Sequence, residues 1–296
     1  MLLGARGHIM INLLLPIRKS VFLICFTLVA SGCTGAAIRE FDNRATLSNP
    51  DKVLAFVGRK IRINEFDPAE GAPEPSDEDF EEEIMYLDVG FKARYRILEL
   101  VHGDFEGDIV DFKVYDHYGF PEFAKRDIAL IYLTEYDGAL YHSKYQYDEV
   151  YPTRDSRYAG CGDPYQNLVN AEELDHRPLQ EIRFSPQVVF RISDFLTSEE
   201  ENDYLSQDEI KAINDEVNAW LSAPAFKLEG DRATCKMGVY TDELFRIKNE
   251  TILLPRQRYY SCFRQLQPIE GLSPTDSEWD ESLQACVEEK KRKGLP

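Results

Sequence analysis

Residues 126–143 read RDIALIYLTEYDGALYHS. Asp127–Glu135 is almost wholly apolar, so it predicts a strand covered on both faces and central to its sheet. Asp137-Gly138 follows, and because both residue types tolerate positive φ the pair signals a hairpin. The chain then returns as a further strand over Ala139–Tyr151, in which Tyr141, Tyr145, Tyr147 and Tyr151 are spaced mostly by even numbers.

Three more strand patterns lie upstream. Val53–Phe66 (VLAFVGRKIRINEF) is apolar on both faces at its start and alternates later, the pattern of a strand that bends through a core, with Gly58 at the bend. In Phe91–His102, Phe91, Ala93, Tyr95 and Ile97 share one face, and the apolar face changes sides at Leu98 and Leu100, as a bulge would require. After the turn His102-Gly103-Asp104, Asp108–Tyr118 puts Val110, Phe112 and Val114 on one side. Between the first two strands, residues 67–83 hold nine acids and three prolines among 17 residues and read as a solvated loop. Their spacing lacks the central Gly and terminal Glu of an EF-hand. Five strands, two of them long and bent, predict a closed or partly closed OB-type barrel over residues 51–160.

Several segments carry a family resemblance. AFVGRKIRI, ILELVHGDFEGD, VDFKVYDHY and RDIALIYLTEYDGALYHS together resemble the barrel of the netrin-module and tissue-inhibitor-of-metalloproteinases superfamily, over about Val53 to Cys161. The family's Lys-Gly turn corresponds to His102-Gly103, its Tyr-Leu-Val strand to Leu130–Leu133, and its hairpin to Asp137–Leu140. There are two departures. Tyr118-Gly119 stands where the family has Cys-Gly, leaving only Cys161 to match the cysteine after the hairpin. The family's inhibitors also chelate a protease zinc through a free N-terminal cysteine, which a lipid-modified Cys33 about 20 residues from the barrel does not offer. The resemblance therefore implies a fold and not inhibition.

Residues 161–296 read as a smaller α+β region, entered through the Gly-, Pro- and Asp-rich stretch 160–178. Val188–Ile192 predicts a strand. Ser206 and Glu209 form a capping-box pattern ahead of Ile210, Ile213, Val217, Trp220 and Leu221 at helical spacing. Trp220 is expected to be a core residue. Gly238-Val239-Tyr240 looks like a strand, and Leu253-Leu254 precedes a breaking Pro255. Ser277–Lys293 predicts a last helix with Ser277 and Asp280 at capping spacing, KKRK at its end and Gly294 beyond, an arrangement that complements the helix dipole.

The N-terminus reads as an address. Arg18 and Lys19 precede Val21–Ala30, an apolar run of ten residues, too short for a membrane span and suited to a signal-peptide core. Ala30-Ser31-Gly32-Cys33 resembles the lipobox of bacterial lipoproteins. That resemblance implies cleavage after residue 32, diacylglycerol and a further acyl chain such as palmitate on Cys33, a tether over 33–50, and, with Thr34 rather than Asp next, an outer-membrane location facing the periplasm. Met10 is an alternative start. Of six cysteines, Cys25 leaves with the leader and Cys33 carries lipid; Cys161, Cys235, Cys262 and Cys286 remain, an even number that points to disulfides in an exported chain. Three pairings are possible; the short loop favours Cys262 with Cys286, and Cys161 with Cys235 would tie the two halves together. No paired-cysteine zinc spacing occurs.

Charge narrows the function. The whole chain carries 34 basic against 53 acidic side chains, or −19, and without residues 1–32 the balance is 31 − 53 = −22. A protein that grips phosphate backbones needs clustered Lys and Arg, so nucleic acid is not an expected partner. The nucleophile-elbow, zincin, dinucleotide and phosphate-loop signatures are all absent, and no catalytic residue, metal or cofactor is expected. The candidate ligand-binding residues are the basic stripe Lys92, Arg94 and Arg96 and the tyrosines Tyr141 and Tyr145, which are a possible stacking surface for sugar or peptide. The reading is a lipid-anchored, non-catalytic binding or assembly module with an envelope protein or glycan partner. Its rivals are an envelope hydrolase, which a cleft gathering His117 or His142 with carboxylates would favour, and a protease inhibitor acting through an exposed loop such as Gly119–Arg126.

Overall fold

A computed structural model describes residues 53–67, 88–136, 138–166, 168, 174–198, 205–266 and 277–296. The leader, Cys33, the tether and most of the acidic stretch 67–83 lie outside them. Five strands form a closed ring: β1 (Val53–Phe66), β2 (Val89–His102), β3 (Ile109–Asp116), β4 (Ile128–Tyr136) and β5 (Ala139–Asp148). The order around the ring is β1-β2-β3-β5-β4, with β4 returning to β1. All pairings are antiparallel except β3 with β5.

Alternation in the strands explains the ring. Leu54 and Phe56 of β1, Phe91, Ala93 and Tyr95 of β2, and Ala129, Ile131 and Leu133 of β4 point inward and are buried. One end of the ring is plugged by a 3-10 turn (Glu122–Lys125) whose Phe123 packs against Tyr95 and Phe112. The opposite faces of β1 and β4 are apolar as well, because the second half covers them. Val53, Ala55, Val57, Leu130 and Tyr132 share a cluster with Val239, Leu244 and Leu253. The apolar face of β2 changes sides through two bulges: Leu98 and Val101 are the extra residues opposite β1, and both pack into that outer cluster. Leu100, expected to share that turn, is 43% exposed.

The strand predicted to run from Ala139 to Tyr151 ends at Asp148. Tyr151 begins a separate two-residue strand, β6 (Tyr151–Pro152), which pairs with β7 (Tyr158–Cys161). With β8 (Gln180–Glu181) and β12 (Met237–Tyr240) they form a sheet of order β6-β7-β12-β8. Only glycine fits at 238, since a Cβ there would lie 2.0 Å from the carbonyl oxygen of Gly160. A second small sheet holds β9 (Val189–Arg191), β10 (Phe226–Glu229) and β11 (Arg232–Cys235). Helix α1 (Gln207–Trp220) starts on a complete Ser206/Glu209 capping box, and its Trp220 sits among Phe190, Phe195 and Phe226.

Pro255 does not break the chain's last third. Helix α2 (Thr241–Lys248) runs through a π turn (Asn249–Leu253) into α3 (Leu254–Leu266). Pro255 therefore sits inside a continuous helix just after the π turn, whose wider winding relieves the ring's clash with the preceding backbone. Helix α4 (Ser277–Lys293) packs on α3 through Trp279, Leu283, Cys262 and Phe263 and ends on Gly294 at φ 65°. Two disulfides are present, Cys161–Cys235 and Cys262–Cys286, the favoured pairing. No helix among the described residues is long and apolar enough to cross a membrane.

Candidate functional site

The site begins with an irregularity in β5. Ile131 pairs with Tyr147 and Leu133 with His142, so the four residues Ser143–Gln146 stand opposite Tyr132 alone. The excursion is held by side chains. The His142 ring lies 4.4 Å from Phe123, and its Nε2 is 2.8 Å from the Gln146 carbonyl oxygen, closing the loop. Tyr145 adopts φ 65°, a left-handed backbone that an aromatic residue reaches only when surroundings impose it. Lys144 donates to both carboxylate oxygens of Asp88 at 2.6 Å, and its carbonyl oxygen accepts from Arg256 Nη1 at 3.0 Å.

A cavity of about 480 Å³ lies between the bulge of β5 and α3. It is lined by Glu135 of β4, His142, Ser143 and Lys144 of β5, Leu253 of the π turn, Arg256, Tyr260 and Ser261 along α3, Lys290 of α4, and Leu295 and Pro296 beyond α4. Burial pushes the His142 imidazole down to about 4, with the Arg256 charge adding to the effect, so the ring is neutral at pH 7 and donates from Nε2. The Glu135 carboxylate contrasts with it. Its Oε2 is buried and accepts no hydrogen bond among the described residues. An unmet buried acceptor costs about 1–3 kcal/mol, and more when charged. Arg256 and Lys290 line the same cavity, yet neither makes an ion pair with Glu135 among the described residues.

The expected ligand residues sit elsewhere on the ring. Arg94 is spent on a two-pronged bond to Asp111 of β3, both contacts at 2.7 Å, and Arg96 lies 4.0 Å from Asp108. Lys92 stands 5.1 Å over the Phe66 ring. The basic stripe is thus paired within the barrel. Arg94→Met is expected to cost about 1 kcal/mol in chemical denaturation, whereas Arg96→Met, at an exposed and longer contact, should stay within about 0.5 kcal/mol. Tyr141 stacks near Tyr115, and Tyr145, 39% exposed, meets Tyr118 at 5.6 Å. Because the bulge shifts the register, Tyr147 packs against the barrel core while Tyr151 belongs to the second half's core, so the tyrosines form no continuous row.

Comparison with known proteins gives no match, whether to a family model, a curated protein or a solved structure. The geometry alone therefore carries the reading. His117 and His142 do not converge: His117 is half-exposed beside Asp88 at 3.8 Å, while His142 is committed to the bulge. Among the described residues no group of three or more His, Cys, Asp or Glu is placed to hold a metal. The segment Gly119–Arg126 is mostly the barrel plug, with Phe123 and Ala124 buried and Phe120 exposed. Glu135, Arg256 and Lys290 were not singled out as a site in the sequence, since they come from three separate elements and no spacing links them.

Proposed function

We propose that this chain is an outer-membrane lipoprotein, anchored through acylated Cys33 and facing the periplasm, whose barrel and second half together form a non-catalytic binding module. One observation carries the compartment: all four cysteines beyond Cys33 are bridged in two pairs, which fits an oxidising environment. The five-stranded ring, with its long bulged β1 and β2, supports an OB barrel of the netrin kind. The cavity supports binding, because Glu135 and Arg256 line it without pairing with each other and Arg256 keeps N–H donors beyond its one bond to the Lys144 carbonyl. Envelope proteins and glycans are the partner classes that this placement brings within reach.

A hydrolase is the second reading, favoured by one observation: His142 and Glu135 share the cavity. Against it, His142 spends its Nε2–H on the Gln146 carbonyl with its ring buried against Phe123, and burial lowers its pKa to about 4, which makes it a weak base at neutral pH.

Replacing Cys33 tests the anchor. Cys33→Ser is expected to abolish incorporation of labelled palmitate and to leave the protein soluble or unprocessed. A processed variant that still fractionates with the outer membrane overturns the proposal.

A further inference from the structure

The cavity between β4–β5 and α3–α4 presents both signs of charge without letting them meet. On one side is the Glu135 carboxylate, whose Oε2 is closed off and has no hydrogen-bond partner among the described residues, so a ligand meets the group through its other oxygen. On the other are Arg256, which gives one bond to the Lys144 carbonyl oxygen, and Lys290, which gives one to the Pro296 oxygen. A guanidinium has five N–H donors, so Arg256 keeps several for a further acceptor, and its fork matches a carboxylate. Leu253, Tyr260 and Leu295 supply apolar surface in the same space. A purely anionic ligand would leave Glu135 unmet and repelled; a purely cationic one would face Arg256 and Lys290.

We infer that this cavity binds a small zwitterion with an apolar body, its ammonium on Glu135 and its carboxylate on Arg256 and Lys290, as a free apolar dipeptide would supply. The volume, about 480 Å³, falls within the range of small-molecule sites. The inference rests on the binding-module reading, but not on the lipid anchor.

Calorimetric titration of the purified full-length chain with L-leucyl-L-leucine tests it, alongside N-acetyl-leucyl-leucine, which lacks the ammonium, and leucyl-leucinamide, which lacks the carboxylate. Saturable binding of the free dipeptide is expected, with at least tenfold loss for each blocked form. Glu135→Gln should weaken the free dipeptide at least tenfold and bind the free and acetylated forms alike, while circular dichroism shows the variant folded. Arg256→Lys, which keeps charge and loses the fork, should narrow the gap between free dipeptide and amide. No saturable binding of leucyl-leucine at millimolar concentration, or equal binding of all three forms by the unaltered chain, overturns the inference. Mass spectrometry of the recovered peptide separates the two readings: intact dipeptide supports both, whereas released leucine supports the cavity assignment and overturns the non-catalytic module.

Discussion

Replacing Cys161 and Cys235 together by alanine is expected to lower the unfolding free energy by about 4–5 kcal/mol. The bridge joins residues 74 apart in sequence, and closing a loop of that size removes about 4 kcal/mol of chain entropy from the unfolded state. It also spans two sheets: Cys161 lies on β7 and Cys235 on β11, and both pack in the cluster that includes Phe226, Leu221 and Ala159. Alanine removes the sulfurs from this buried cluster as well, so the packing loss adds to the entropy term. Urea denaturation of the unaltered and double-alanine chains measures the difference, provided the slope is unchanged. A loss under about 1 kcal/mol would show that packing alone aligns the two sheets.

Acidification is expected to weaken the fold through His142. Burial holds its imidazole at about 4 against an ordinary 6.5, so between those values the unfolded chain binds a proton that the folded chain refuses. This contribution to stability is whole above pH 6.5 and is lost as pH falls toward about 4. At about 1.4 kcal/mol per pKa unit, the span amounts to about 3.5 kcal/mol. Burial pushes the carboxyl groups of Asp116 and Asp148 upward, which favours the folded state in acid and opposes the trend. The His142 contribution is therefore read as a difference. His142→Gln should lose stability less steeply than the unaltered chain from pH 6.5 down to 4, in thermal melts at matched ionic strength. Parallel profiles would sink the assignment.

The ring of five strands was legible because burial writes itself into strand alternation. Val53–Phe66 matched its predicted bounds, and the uninterrupted apolar run of β4 reflected cover on both faces, with Ile131 inward and Leu130 toward the second half. The Ser206/Glu209 cap was equally readable, because its chemistry is local. The bulge at Ser143–Gln146 was not. It contains no Gly or Pro, and its partners Asp88 and Arg256 lie 56 and 112 residues from Lys144. A backbone bent by remote side chains leaves no periodic trace, and the cavity lies beside that bend. Pro255 misled for a related reason: a proline ends a helix unless a wider turn relieves its ring, and the π turn that does so was not foreseen in the sequence.

The bridge between α3 and α4 matters beyond folding strength. Helix α4 rests on a small cluster of its own around Trp279 and Leu283, and Cys262–Cys286 staples it to α3. A protease that clips any peptide bond from residue 263 to 285 would still leave the severed piece joined through sulfur, with Lys290 beside the cavity. Only a cut combined with a reductant would shed that wall, so a nicked chain should migrate intact in a gel until thiol is added.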